Sequence, residues 1–596
     1  MNRLLLNHLI DLASLNASGG GSLLRIDRRL AVALLLVVSV ALSCSQSEVP
    51  TGVTVTSADT PTRSPGRVSM GVTVTHADRP TRSDYDASVA EVGKWRRHVI
   101  TLPNNDYSGN PFELEVDGTF VHEASGTTVT LPGYYAGDDE WKIGFMPTEI
   151  GEWTYVTSSS DPQLDGVSGR VLCIESGLPG MLKADSQPGP GKKWKFTDGP
   201  YVVPIGLRME FFSEPAETST FTEAADFMRD NHLQMLETRL TEQLGQFEDG
   251  RHDFVFEGDW GDHQFDLRIW DRMEERMEIL TERGLGAHIM FYSDDAGKPD
   301  WPAKGETEWL VIRYVVARLA GYPIVWYNTG IDIAEYRDCN WTDWFAAQIH
   351  VLDPYGHPVS SRHGGGSGSC VPDTQTWDSR GDRLAKISDM IAYYDTASVP
   401  VSMDDAWGEN RTSHPEKNFR PQDIRRAFWK SVAAGGLGGL IRGSDGYFHI
   451  GNVQSDLESE QWLRLVNEFV QRKLGSTFGA MTPSPSLVSN GYALADPGRT
   501  KIVCFFIGTD DRWDDGNDGP LTADLTGTSR DFRAIWFDPR TGSERWVGPM
   551  AGGKKHVLDP PSADDWVLYI YARPLNLDYS TYLPAMTEGS LGGSGG

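Results

Sequence analysis

The sequence predicts a multidomain protein: a central (β/α)8 TIM barrel flanked by an N-terminal β-sandwich and a C-terminal antiparallel β-sandwich. Three observations predict it. The chain has 596 residues, more than one hydrophobic core usually serves. Through its middle, apolar strand-like runs alternate with amphipathic helical ones, the pattern of a parallel sheet wrapped by helices. On either side, short runs of period-two alternation are separated by Gly, Pro, Asn and Asp, the pattern of antiparallel sandwiches.

Composition narrows the class. Aromatic residues make up 10% of the chain, with 19 Trp and 63 Gly, which describes a folded, loop-rich protein. The formal net charge is −29. A surface this acidic repels phosphate backbones and anionic membranes, so no nucleic acid is expected as a partner. The five cysteines, Cys44, Cys173, Cys339, Cys370 and Cys504, form no CxxC pair and no Cys/His cluster of zinc spacing, so neither a metal nor another cofactor is expected. Cys173 and Cys504 stand in strand-like runs as small buried hydrophobes. Cys339 and Cys370 stand in loop-like sequence and can pair in an oxidising compartment.

The N-terminus reads as an address. Arg25, Arg28 and Arg29 precede the apolar run 30–43, which is too short for a comfortable membrane span, and small residues and Cys44 follow it. Ala41-Leu42-Ser43-Cys44 resembles a bacterial lipoprotein box, departing from it at Ala41, where Leu is usual. The resemblance implies cleavage and a lipid anchor at Cys44; simple secretion is the alternative. Residues 1–44 are thus the signal segment, and the chain is expected to be exported. Residues 45–88 are rich in Thr, Ser, Pro and Asp. They hold one polar duplication, 52–64 recurring as 71–83, which suits a flexible tether.

The first sandwich is expected over 89–178, with strands at Arg97–Leu102, Phe112–Val116, Thr127–Leu131, Trp141–Phe145 and Trp153–Thr157. Asn110-Pro-Phe112, Gly133-Tyr-Tyr-Ala-Gly137, Trp141-Lys-Ile-Gly-Phe-Met-Pro147 and Gly151-Glu-Trp-Thr-Tyr155 resemble the immunoglobulin-like domain that precedes many bacterial polysaccharide-degrading barrels.

The barrel is expected over 190–475. Its strand candidates are Val202–Leu207, Leu233–Thr238, Ala287–Tyr292, Ile324–Asn328, Pro358–Ser361, Asp389–Tyr393, Val399–Met403 and Leu437–Ile441, with helices over Trp270–Gly284, Glu308–Leu319 and Ile424–Ala434. Chemistry in this fold gathers at the C-terminal ends of the strands. Arg208 and Glu210 follow strand 1, Arg239 strand 2, and Tyr292, Ser293, Asp294 and Asp295 strand 3. Asn328-Thr-Gly-Ile-Asp332 and then Glu335 follow strand 4. Arg362 and His363 follow strand 5, Asp404, Asp405 and Trp407 strand 7, and Arg442 and Asp445 strand 8.

Acids on strands 4 and 7 are what a retaining glycosidase needs. One carboxylic acid protonates the leaving oxygen while the other attacks the anomeric carbon from the opposite face, with the carboxyl groups about 5–5.5 Å apart. Val203-Pro-Ile-Gly206, Trp270–Gly284, Ile324-Val-Trp-Tyr-Asn-Thr-Gly-Ile-Asp332, Val399-Pro-Val-Ser-Met-Asp404 and Arg425–Gly436 resemble the apiosidase-like group of glycoside hydrolases, which the resemblance covers from 200 to 575. In that group the strand-4 motif ends in an acid two residues past a glycine, which implies that Asp332 is the acid/base. The strand-7 acid falls on Asp404, with Asp405 one register away. The group has Glu there; the shorter Asp sets the nucleophile back by about one methylene, and a wider gap admits water and favours inversion.

Around this pair, Glu335 is a reserve acid, Glu210 a partner for an arginine, His363 a hydrogen-bonding group for the nucleophile or a sugar hydroxyl, and Asn328 a substrate-binding residue. Tyr292 and Trp407 suit stacking on a pyranose face. Arg208, Arg239, Arg362 and Arg442 end strands 1, 2, 5 and 8. Those not needed to hold the acids ionised would bind a carboxylate or sulfate of the substrate. The expected substrate is a polysaccharide or oligosaccharide. Two rival functions are a non-catalytic carbohydrate-binding lipoprotein on a barrel scaffold and a polysaccharide lyase.

The second sandwich is expected over 480–575, with strands at Gly491–Gly498, Ile502–Ile507, Phe532–Phe537 and Trp566–Tyr571 and a tight turn at Asp538–Gly542. Residues 576–596 read as a flexible tail.

Overall fold

The computed structural model describes residues 89–185, 192–240, 263–293, 298–299, 301–362, 375–376, 387–409, 418–443, 447–509 and 519–572. The expected signal segment, tether and tail lie outside the described residues, as do Asp294, Asp295, His363, Cys370 and Asp445. All that is described belongs to the compact unit that starts at Tyr85.

The first domain consists of eight strands in two sheets. These are β1 (Ala90–Gly93), β2 (His98–Pro103), β3 (Val116–His122), β4 (Thr128–Pro132), β5 (Tyr134–Gly137), β6 (Glu140–Phe145), β7 (Gly151–Ser159) and β8 (Ser168–Ile174). The sheets run β1-β8-β7-β3-β4 and β2-β6-β5, with β1 parallel to β8 and the other pairs antiparallel. The alternation of β3 shows why the residues form this layer: Val116, Gly118, Phe120 and His122 face inward, and Phe120 stacks on Phe145 of the other sheet at 4.0 Å. The expected strand Phe112–Val116 is not one. The Asn110 side chain accepts from Phe112 N at 3.2 Å and its carbonyl from Glu113 N at 3.1 Å, so the chain turns there and extends only from Val116.

A three-stranded antiparallel sheet follows, unforeseen in the sequence: β9 (Leu182–Asp185), β10 (Lys193–Phe196) and β11 (Tyr201–Val202). Leu182, Trp194, Phe196 and Val202 from this sheet join Met235, Ile324, Trp326 and Leu440 in one apolar cluster, with the Trp194 and Trp326 rings 4.6 Å apart. The small sheet thereby plugs the N-terminal end of the next domain.

That domain is a curled parallel sheet: β12 (Ile205–Arg208), β13 (Met235–Arg239), β14 (Gly286–Tyr292), β15 (Val325–Gly330), β16 (Val359–Ser360), β17 (Gln375–Thr376), β18 (Val401–Glu409), a short outlying β19 (Asn418–Phe419) and β20 (Gly438–Arg442). The order β16-β15-β14-β13-β12-β20-β18-β17, all parallel, is that of a TIM-like barrel opened between its fifth and sixth strands. The helices α1 (Thr218–Asp230), α2 (Leu267–Glu282), α3 (Glu306–Leu319), α4 (Cys339–Leu352), α5 (Ile387–Thr396), α6 (Pro421–Ala433) and α7 (Glu460–Phe469) follow its strands. In α2, Asp266 caps Arg268 N at 3.1 Å, and Ile269, Trp270, Met273, Met277 and Leu280 form the buried stripe.

Two barrel expectations are corrected. Asp389–Tyr393 lies inside α5: Ile387, Met390, Ile391 and Tyr394 recur at helical spacing, and the sixth strand is the two-residue β17. Val202–Leu207 is split at Val203-Pro204, Val202 belonging to the plug and Ile205 to the barrel. Cys339 is disulfide-bonded to a partner outside the described residues, whereas Cys173 and Cys504 are buried free thiols, as the sequence suggests.

The last domain holds β21 (Thr482–Pro483), β22 (Ala493–Ala495), β23 (Lys501–Phe506), β24 (Leu521–Asp524), β25 (Asp531–Phe537), β26 (Glu544–Ala551), β27 (Lys555–Leu558) and β28 (Trp566–Ala572). Six form the sheet β21-β22-β23-β28-β25-β26, and β24 pairs β27. One face of the larger sheet carries the domain's own core with Ile502, Phe506, Trp536 and Leu568; the other, with Phe505, Phe537 and Val567, joins the main core.

Buried charges tie the outer domains to the barrel. Glu274 on α2 meets Arg97 and Arg318, each at 3.1 Å. Burial pushes the Glu274 carboxyl up, but the two guanidiniums outweigh it and hold it below the usual carboxylate range. On the other side Asp565 accepts from Arg426 Nε at 2.9 Å and from Arg425, both on α6.

Lys193 in the plug is 1% exposed. Its Nζ donates to the Tyr394 hydroxyl at 3.0 Å and sits 4.7 Å and 5.3 Å from the Tyr394 and Phe478 ring centres. Burial, helped by the charge of Lys192, pushes its pKa down to about 7. The unfolded chain then holds more protons than the folded one from about pH 7 up to the ordinary lysine value, so stability rises with pH through that window. Lys193→Met is expected to stabilise the protein by about 1–3 kcal/mol at neutral pH and to flatten this alkaline rise. Denaturant midpoints of both proteins between pH 7 and 10 check it.

Candidate functional site at the C-terminal strand ends

A set of charged side chains fills the upper interior of the parallel sheet. Glu237 stands in the middle of β13, level with Arg208 of β12 and His288 of β14 in the strand registers. It is 1% exposed. Arg208 Nε lies 3.8 Å from one carboxylate oxygen and His288 Nδ1 3.6 Å from the other. Burial opposes its ionisation, yet His288, Arg442 and Arg208 together pull its pKa far below the usual range. Arg239, one step higher on β13, has its own pKa pushed well down by burial and by the charges of Arg208 and Arg442.

Glu210 closes the strand-1 end. One oxygen accepts from Arg208 Nε and Nη2, each at 3.3 Å. The other accepts from the Thr238 hydroxyl at 3.0 Å and from Arg239 N at 2.8 Å. All four contacts are internal to the fold, so Glu210 orients an arginine and ties strand 1 to strand 2.

Asp332 follows β15 at the C-terminal end. Its backbone is left-handed, with φ 47° and ψ 40°, and its side chain is 26% exposed. A non-glycine residue held there costs about 1–2 kcal/mol and is tolerated best by Asn and Asp. Three hydrogen bonds hold the turn: Arg362 N to Gly330 O at 2.9 Å, Ile333 N to Arg362 O at 3.2 Å and Ile331 N to Tyr292 O at 3.1 Å. A Cβ on Gly330 would meet the Tyr336 hydroxyl, so Tyr336 would have to shift to admit any other residue there. Arg362 Nη2 faces Asp332 Oδ1 at 3.8 Å.

On the other side of the sheet, Asp404 and Asp405 lie in β18 where its pairing with β20 shifts. Met403 is opposite Gly439 and Trp407 opposite Ile441, so four steps on β18 match two on β20. A bulge of this kind bends a strand and re-aims its side chains, and bulges are frequent beside active sites. The side chains of Asp404, Asp405 and Trp407 lie outside the described residues, as does all of His363.

Three expected binders stand elsewhere than anticipated. Tyr292 is fully buried, its ring 5.7 Å from Trp301, 6.0 Å from Trp341 and 5.7 Å from Phe345, and it offers no face to a sugar. Burial raises its hydroxyl pKa well above the ordinary value. Glu335 is exposed and paired with Lys298 at 2.8 Å. Asn328 is completely buried and turns its amide into the fold. Arg208, Arg239, Arg362 and Arg442 are each 4% exposed. The sequence reading passes over Glu237 and His288; their signal is a charged group and an imidazole in mid-run of otherwise apolar strands. Among the described residues no His, Cys, Asp and Glu cluster has the arrangement of a metal site. A cleft of about 370 Å³ beside Phe112, Tyr135, Phe265 and Arg268 contains none of the candidate residues.

A domain of unknown function, DUF5060, matches residues 91–160. No curated protein sequence matches the chain. Among solved structures, a candidate glycoside hydrolase from Bacteroides vulgatus ATCC 8482 superposes with a TM-score of 0.62 at 17% identity, covering 81% of this chain and 100% of its own. A family 5 glycoside hydrolase from the same organism gives 0.51 at 15% identity, over 66% and 94%. A third glycoside hydrolase gives 0.52 at 13% identity, over 66% and 97%. The chain therefore shares the fold of these glycoside hydrolases, a TIM-like barrel accompanied by β domains.

Removing Glu210 would take the closer of two carboxylates from the buried Arg208 guanidinium and the acceptor from the Thr238 hydroxyl and Arg239 N. Glu210→Ala is expected to cost about 3–5 kcal/mol of stability, checked by urea denaturation.

Proposed function

We propose that this protein is a glycoside hydrolase of the apiosidase-like group, cleaving O-glycosidic bonds in a polysaccharide or oligosaccharide. One observation carries the reading: in a fold shared with glycoside hydrolases, an aspartate follows the fourth parallel strand and an aspartate pair lies in a bulge of the seventh. Asp332 is the acid/base. Asp404 is the nucleophile, with Asp405 in reserve. A retaining outcome requires the two carboxyl groups to approach within about 5.5 Å, and a gap beyond about 6.5 Å gives inversion. Wild-type hydrolysis of plant and algal polysaccharides is the first measurement, with proton NMR of the first anomer released. Asp332→Asn is expected to lower kcat by about 10²–10⁴-fold. A variant as active as the wild type removes Asp332 from the mechanism. A product absorbing in the near-ultraviolet replaces hydrolysis with elimination, and binding without turnover leaves a carbohydrate-binding protein.

The glycan is anionic, bearing uronate or sulfate. Support comes from the charges inside the sheet, where Arg208, Arg239 and Arg442 gather around Glu210 and Glu237 and Arg239 is depressed by its two neighbours. Guanidiniums gathered at strand ends suit bidentate contact with a carboxylate or sulfate. A sulfated glycan is expected to turn over faster than its desulfated counterpart; equal rates remove the anionic assignment.

The protein is exported, with Cys44 acylated. The Arg25–Cys44 sequence supports this, and the disulfide at Cys339 suits an oxidising compartment. Radiolabelled palmitate incorporation lost in Cys44→Ala checks it.

A further inference from the structure

Beneath Asp332 a line of buried polar side chains crosses three strands of the barrel interior. Glu237 on β13, His288 on β14 and Asn328 on β15 are each 1% exposed or less. The roles of their atoms follow from one fixed point. The Asn328 Oδ1 atom accepts from Gly330 N at 3.0 Å. The other end of that amide is therefore the NH2 group, and it faces His288 Nε2 at 3.3 Å. An NH2 group can only donate, so Nε2 is the bare nitrogen. The ring's N–H is then Nδ1, which faces the Glu237 carboxylate at an ion-pair distance of 3.6 Å. A carboxylate is the partner that holds this tautomer. Were the tautomer reversed, two donors would meet; either Nε2 would turn to the Ser360 hydroxyl, 3.5 Å away, or the Asn328 amide would turn over. The second would take the amide oxygen from Gly330 N and leave the turn carrying Asp332 without one of its hydrogen bonds.

We propose that Glu237 and His288 are positioning residues for the strand-4 acid, fixing the Asn328 amide so that the turn through Gly330 holds Asp332 in its left-handed conformation opposite Arg362. The inference rests on the assignment of Asp332 as acid/base. Neither residue touches the substrate; each acts through the next.

The test is a double-mutant cycle on the 4-nitrophenyl glycoside that the wild type turns over fastest. Glu237→Met and Asn328→Ala are each expected to lower kcat about 10–100-fold, the size of loss usual when an orienting partner is removed behind a functional group. KM is expected to stay within about threefold, and the basic limb of the kcat–pH profile, which reports the protonated acid, to move. The double variant is expected to be no worse than the poorer single one. Glu237→Gln, which keeps an oxygen facing Nδ1, is expected to recover most of the rate. Multiplicative losses in the cycle, or an unmoved basic limb, overturn the proposal. Should Glu237→Met not fold, His288→Gln takes its place, since it cannot bridge both neighbours. If the wild type hydrolyses no glycoside, the proposed function has failed. The inference is then read from a crystal structure of the folded variant. Loss of the Asn328–Gly330 bond with Asp332 at negative φ supports it, and an unchanged turn overturns it.

Discussion

The Glu237 carboxylate inside the parallel sheet is the constraint on which the rest depends. Bringing a carboxylate out of water costs several kcal/mol, and the cost is offset only when opposite charges and donors surround it. Here they come from three other strands: Arg208 on the first, His288 on the third and Arg442 on the eighth. Such a cluster specifies register. Side chains along a strand alternate faces, so a slip of β13 by one residue would turn Glu237 out among the helices and leave two guanidiniums facing each other. Glu210 adds a second tie at the same level, since it accepts from the strand-1 arginine and the strand-2 backbone together.

The same logic recurs where domains meet. Arg97 reaches from the first β domain to Glu274 on α2, and Asp565 reaches from the last β domain to two adjacent arginines of α6. Apolar contact surrounds both sites, with Trp429 on α6 packed edge-on to Phe469 and beside Phe537. Apolar burial holds the surfaces together without direction, and the buried ions select one alignment. The wall of helices is thereby braced from both sides, and the strand ends are presented on a rigid frame, which is what precise placement of catalytic groups requires.

Both candidate acids stand where regular backbone breaks. Asp332 occupies the left-handed region two residues past a glycine whose Cβ would meet the Tyr336 hydroxyl, and Asp404-Asp405 lie where two strands lose register. Irregular backbone of this kind survives only when its surroundings over-determine it. Around Asp332 those surroundings are identifiable: the Gly330, Ile331 and Ile333 bonds to strands 3 and 5, and the Asn328 amide below.

Much of this organisation follows from local patterning. Period-two alternation located most outer strands, and the alternation of apolar runs with helices announced the parallel sheet. The glycine two residues before Asp332 marked the strand-4 turn. These features are legible because they depend on neighbours in sequence. Where local signals conflict, the reading went astray: Asp389–Tyr393 has the apolar content of a strand but sits within helical spacing, and Phe112–Val116 follows an Asn-Pro turn that delays extension. Other matters only the tertiary structure decided. Whether an arginine at a strand end faces a substrate or an internal acid depends on which strand lies beside it, and Glu210 and Glu237 answer that for Arg208. Tyr292 looked like a stacking platform until α4 covered it with Trp341 and Phe345. His288 and Glu237 gain meaning only as neighbours, because a buried charge is explained by its partners, and those partners come from strands far apart in the chain.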